Sequence, residues 1–104
     1  MSITTTQNNN RTTVNIEYER IDINNMQQVK DELLALVESN DTLVLNMQKV
    51  LFVDSSGLSV LISAFKKMIS KEGSLELCAL TSQPKELMEI TQLNSIFNIS
   101  ELCN

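Results

Sequence analysis

The chain has 104 residues, enough for one modest hydrophobic core and one domain. Its 42% hydrophobic and 20% charged residues describe a folded globular chain, and its formal charge of −5 opposes the phosphate neutralisation on which nucleic-acid binding depends. Histidine is absent from the sequence, which removes Ser-His-Asp and Cys-His nucleophile pairs together with the commonest metal ligand.

The first ten residues are polar where a signal peptide would be apolar, and no run approaches the roughly 20 apolar residues of a membrane span. The expectation is a cytoplasmic protein with no membrane insertion and no nucleic-acid partner. Cys78 and Cys103 lack a C-x-x-C spacing, so neither a disulfide nor a zinc site is expected. Cys78 reads as a core residue and Cys103 as a tail thiol, and no cofactor or metal is implied.

Along the chain, "TTTQNNNRTT" fits either a frayed tail or a hairpin joining an edge strand over Ser2–Thr6 to the next strand; the hairpin fits slightly better, because asparagine tolerates left-handed turn conformations. Val14, Ile16 and Tyr18 then alternate with Thr13, Asn15 and Glu17, the period of a half-buried strand ending near Arg20. From Asn24 to Asn40, Met26, Val29, Leu33, Leu36 and Val37 recur at helical spacing, with Asp22 or Asn24 as a cap. "TLVLNM" reads as a buried parallel strand. Ser55 to Glu72 is a second amphipathic helix, with Leu58, Leu61, Ile62, Phe65, Met68 and Ile69 on its apolar face and Gly73 as its stop. "SLELCAL" is a strand, Gln83 to Leu93 a helix with Pro84 in its first turn, and "IFNISEL" a last short strand or a loop. This order predicts a small α/β fold: about four or five strands, largely parallel with an antiparallel edge, and three or more helices.

The strand-to-helix junction Asp54-Ser55-Ser56-Gly57 is the most informative stretch, because such loops carry the sites of open α/β sheets. Asp54 or Ser55 is a good N-cap. Neither serine has Glu or Gln three residues on, however, so there is no capping box, and a glycine inside the first turn costs ~1 kcal/mol relative to alanine without serving the cap. A serine among the free N–H groups of a helix start suits a phosphate placed there. Gly57 would then clear the approach of another protein. Asp22 and Asp54 fall at one edge of the sheet, but without a pocket or a histidine they make a poor acid–base pair. Ser63-Ala64-Phe65-Lys66 matches S-x-x-K, and a solvated helix face explains it.

The stretch "LVLNMQKVLFVDSSGLSVLI" resembles the signature of the STAS domain family, and "YERIDINNMQQV" looks like that family's segment in which an aspartate ends the second strand. The nearest likeness is to single-domain bacterial anti-sigma factor antagonists. The resemblance implies Ser55 as phosphoacceptor, with Asp22 close to it. Asp22, Asp54, Ser56, Gly57, Leu58 and Ser59 would form the surface met by a partner. That partner would be an anti-sigma factor that is also a serine kinase, released on phosphorylation, and a metal-dependent serine phosphatase would reverse the modification. Two other roles fit the same family: a permanent adaptor subunit of an ABC transporter in lipid traffic, and a stressosome-like scaffold component. An enzyme ranks last, since no catalytic constellation is visible.

Overall fold

Asn9 and Asn10 both take left-handed conformations, φ 52° and 70°, and reverse the chain between β1 (Ile3–Asn8) and β2 (Arg11–Ile16). Two successive positive φ values are the type I′ geometry whose twist matches a two-residue hairpin. The N-terminal polar segment is therefore a hairpin, with a longer edge strand than Ser2–Thr6. The structure is a computed structural model and describes residues 2–103.

The remaining strands of the main sheet are β4 (Thr42–Asn46), β6 (Ser74–Cys78) and β7 (Asn98–Ser100). The spatial order is β1-β2-β4-β6-β7, with β1–β2 antiparallel and every other pair parallel. Three helices make the crossovers: α1 (Met26–Ser39), α2 (Ser55–Ser70) and α3 (Ser82–Ile90). The expected mixed α/β fold is present. Between them, β3 (Arg20–Ile21) and β5 (Phe52–Val53) form a separate parallel pair, so the apolar run Val50–Val53 yields only a two-residue strand outside the main sheet.

The core lies between one face of the sheet and the helices. Val14, Ile16, Leu43, Leu45, Leu75 and Leu77 point inward and meet Val29, Leu33 and Val37 of α1 and Leu58, Leu61 and Met68 of α2, all buried. Each such side chain stabilises the fold by about 1.5–3 kcal/mol relative to exposure. The other sheet face carries polar pairs: Asn46 Nδ2 donates to Asn15 Oδ1 at 3.0 Å, and Arg11 reaches Glu76 at 3.3 Å.

Three expectations are corrected. Ile69, placed on the apolar face of α2, is half exposed, while Val60 and Ala64 are buried. The reason is that α2 packs against α1, β3, β5 and β6 together, so its covered face is broader than, and rotated from, the apolar stripe. Gly73 is not the left-handed residue ending α2; Glu72 is, at φ 62°. A side chain on Gly73 would instead strike the Met68 sulfur and lie 2.6 Å from the Asp41 carbonyl oxygen. Most consequentially, Cys78 and Cys103 form a disulfide. Cys78 is fully buried as expected, but β7 pairs with β6 in a register that sets Cys78 opposite Ser100 and brings the following residues back over it. Spacing along the chain carries no trace of that return.

Candidate functional site

The turn from β5 into α2 is held from two sides. On one side β3 lies alongside, and the Asp54 backbone N–H donates to the Ile21 carbonyl at 3.3 Å. On the other, the Gln83 side chain substitutes for a strand: Val53 N–H donates to Gln83 Oε1 at 2.9 Å and Gln83 Nε2 donates to the Val53 carbonyl at 3.0 Å. Thr81 Oγ1 donates to the Val50 carbonyl at 2.6 Å, fixing the run leading into β5. A two-residue strand has little cooperativity of its own, so these side-chain bonds define where the turn begins.

Asp54 is the N-cap of α2. Its Oδ1 accepts from Gly57 N–H at 2.8 Å, and its Oδ2 accepts from Ile23 N–H at 3.2 Å. One carboxylate thereby satisfies an orphan N–H of the helix and ties the β3–α1 loop to it. The backbone groups of Ser55 and Ser56, the first two helical residues, keep N–H groups without an intrahelical acceptor. Ser55 is exposed and Ser56 half-buried. Ser59, one turn on, is exposed and donates its hydroxyl to the Ser56 carbonyl at 2.7 Å.

Gly57 and Leu58 do not belong to the exposed surface. Leu58 is 9% exposed and part of the core. Gly57 is buried, and a Cβ there would fall on the Ile21 carbonyl oxygen, 2.8 Å from the Ile21 carbonyl carbon and 3.0 Å from Val53 Cγ1. The glycine thus clears space for the chain's own β3, not for an approaching protein. Its helix-propensity penalty of ~1 kcal/mol is offset by that close packing.

Asp22 is buried, with 7% of its surface exposed. Arg20 Nε donates to its Oδ2 at 3.1 Å, and Asn24 N–H donates to its Oδ1 at 3.0 Å. The Arg20 guanidinium, followed by the backbone N–H bond from Asn24, holds the carboxyl below its ordinary range. Arg20 also lies over the Phe52 ring, 4.4 Å from its centroid, joining β3 to β5 a second time. Asn25 closes the loop by donating to the Arg20 carbonyl at 2.8 Å and accepting from Asp22 N–H at 2.9 Å. Neither Asp22 nor Asn24 caps α1; Asn25 occupies the cap position without a side-chain cap bond.

Asp22, Asp54, Ser55 and Ser56 therefore converge through the Ile23–Asp54 and Ile21–Asp54 bonds, while Gly57 and Leu58 lie beneath them. Sequence reasoning missed Gln83, whose role has no local signal, and Ile23, which stands 65% exposed beside Asp54. An isoleucine between Asp22 and Asn24, outside any helical or strand period, was the available sign. Among the described residues, no group of three His, Cys, Asp or Glu is placed to hold a metal ion, and no helix is long and apolar enough to cross a membrane.

Comparison with known proteins agrees with this geometry. The family model of the STAS domain matches residues 2–102. The chain is 35% identical over 94 residues to an anti-sigma-B factor antagonist of Bacillus subtilis (strain 168), covering 90% of this chain and 85% of that protein. It is 31% identical over 83 residues to an anti-sigma-B factor antagonist of Listeria monocytogenes, covering 79% of this chain and 73% of that one. A solved STAS domain protein of Planctomyces limnophilus, described as an anti-sigma-factor antagonist, superposes with a TM-score of 0.88 over 97% of this chain and 91% of its own, at 17% identity. With the sheet order, the Asp54-capped turn and a family match over nearly its whole length, the chain belongs to the STAS domain family.

Proposed function

We propose that this protein is an anti-sigma factor antagonist working in the cytoplasm as a phosphorylation-switched binding module, with Ser55 as the phosphoacceptor. The observation that carries the reading is the contrast at the turn. Both oxygens of Asp54 are engaged within the chain, whereas the neighbouring Ser55 is an exposed residue at the positive end of α2. Similarity to anti-sigma-B factor antagonists over most of the chain supports the class of partner. In this reading the partner is a serine-kinase anti-sigma factor, and a metal-dependent serine phosphatase restores the unmodified state. The protein supplies a docking surface and an acceptor hydroxyl; the kinase and phosphatase supply the chemistry.

Unmodified protein binds through the exposed rim of the turn: Ser55, Ser56, Ser59 and the apolar Ile23. Phosphorylation adds about −1.5 to −2 charge at that point. A partner carboxylate ~6 Å away then meets roughly 2–3 kcal/mol of repulsion per added charge at an effective dielectric near 20, before salt screening. Each unit of added charge therefore weakens binding by on the order of 30- to 150-fold before screening. The turn is already closed by hydrogen bonds, so the domain need not refold.

The test is to incubate the protein with candidate kinase and ATP and to locate the modified residue by mass spectrometry, alongside affinities of two variants. Ser55 should carry the phosphate, Ser55→Ala should keep partner binding, and Ser55→Asp should lose it. Modification confined to Ser56, or equal affinity of the two variants, sinks the assignment. Capture of a transporter ATPase instead of a kinase would favour the adaptor role.

A further inference from the structure

The two edges of the main sheet are built differently. At one edge β7 has three residues, and the Cys78–Cys103 disulfide holds the residues that follow it against the sheet. At the other, β1 runs for six residues, Ile-Thr-Thr-Thr-Gln-Asn, all but Ile3 exposed. Sheet proteins blunt an edge with lysine, proline, a bulge or a very short strand. β1 has none of these, and half its residues are threonine, a good strand former.

The hydrogen-bond phase of the hairpin shows which groups of β1 remain open. Glu17 N–H donates to the Ser2 carbonyl at 2.9 Å, and the register pairs Ile3 with Ile16, Thr5 with Val14 and Gln7 with Thr12. Hydrogen-bonded and non-hydrogen-bonded pairs alternate along an antiparallel ladder. Thr4, Thr6 and Asn8 therefore direct their N–H and C=O groups toward β2, and Ile3, Thr5 and Gln7 direct theirs outward. This outward set is centred on Thr5. An antiparallel copy of the same strand placed by a two-fold axis at Thr5 sets Thr5 against Thr5 and Ile3 against Gln7, so every outward donor meets an outward acceptor.

We infer that β1 is a homodimerisation edge, through which a second copy of this chain extends the sheet by antiparallel β1–β1 pairing about Thr5. The outward set, symmetric about Thr5, matches the strand to its own copy, and charge at this edge does not oppose the pairing. The molecule is acidic, with a formal charge of −5, and two copies repel over most orientations. β1 itself carries no charge, and the nearby Glu17 carboxylate is paired with Lys49 at 3.1 Å, so two copies meet here without opposing like charges. An isologous contact of this kind closes after two subunits. Threonines across the axis pair favourably on both faces. The paired strand is short, so the dimer is weak, with a dissociation constant on the order of 100 µM.

Sedimentation velocity over a concentration series, read together with amide hydrogen exchange by NMR, tests this. Mass should rise toward the dimer as concentration passes about 100 µM, and protection should rise with concentration at Ile3, Thr5 and Gln7 while Thr4 and Thr6, already bonded within the chain, change little. Thr5→Lys places like charges opposite each other on the axis and should weaken dimerisation at least about tenfold. Thr5→Val keeps strand propensity and should retain it. A monomer persisting to about 1 mM overturns the inference, as does a dimer whose affinity Thr5→Lys leaves unchanged, or concentration-dependent protection that falls on β7 instead of β1.

Discussion

Gln83 and Val53, 30 residues apart, are joined by both hydrogen bonds that a neighbouring strand would supply, at 2.9 and 3.0 Å. The amide group of a single side chain in the first turn of α3 therefore completes the free edge of β5 one residue before Asp54. Position and chemistry are separate here: α3 contributes nothing to the exposed rim of the turn, yet it determines where that rim stands.

Gln83→Ala should leave Val53 N–H and C=O without their partners in a half-buried place and lower stability by about 1–3 kcal/mol. Gln83→Glu keeps the acceptor for Val53 N–H but loses the donor to Val53 C=O, and should be comparably harmful. Urea denaturation measures the loss, and faster exchange of the Val53 and Asp54 amides would locate it at the turn.

Gly57→Ala should destabilise the fold even though alanine is the better helix former by ~1 kcal/mol. The added methyl meets the Ile21 backbone, which cannot rotate away as a side chain would. A net loss of about 1–3 kcal/mol is expected. Thermal unfolding reports it, and chemical-shift changes should centre on Ile21 and Val53, not on exposed Ser59.

Reduction of Cys78–Cys103, or Cys103→Ser, should remove roughly 3 kcal/mol, since the bridge closes a separation of 25 residues. The loss should begin in β7. Ala79 N–H donates to the Ser100 carbonyl at 3.0 Å, so its exchange should accelerate in dithiothreitol before that of β4 amides. Urea midpoints with and without reductant complete the measurement.

Acid should weaken the loop that faces Ser55. The Asp22 carboxyl is depressed below its ordinary value by Arg20 and by backbone N–H groups. Its ionised form therefore contributes stability that is fully present above the unfolded pKa, about 3.9, and is lost as pH falls through the lower folded value. Asp22→Asn should lower stability at neutral pH and flatten this acid limb. Urea midpoints measured from about pH 6 down to about pH 2 distinguish the two curves.

Much of this organisation was legible without a structure. Alternation in Val14, Ile16 and Tyr18 and the helical spacing of Val29, Leu33 and Val37 placed β2 and α1, because each pattern depends on residues a few positions apart. The cap at Asp54 was among the two candidates for the same reason: a cap bonds two or three residues ahead. The Asn9-Asn10 turn is equally local. Asp22 and Asp54 reach one edge of the fold by strand order alone.

What local pattern could not contain are the contacts that close over long separations. The purpose of Gly57 depends on where the Ile21 carbonyl lies, Cys103 on the register of β7 against β6, and Ile69 on how many neighbours share the surface of α2. Periodicity records only whether a side chain prefers water or a core; it does not record which distant backbone comes to rest against it. Local pattern marks the Asp54–Gly57 junction, and the choice of Ser55 within it comes from the resemblance of the surrounding stretch to the STAS signature. Its setting, an exposed serine beside a carboxylate already engaged on both oxygens, exists only once β3, β5, α2 and α3 have packed, because each bond that defines it crosses between elements remote in the chain or between a helix and its cap.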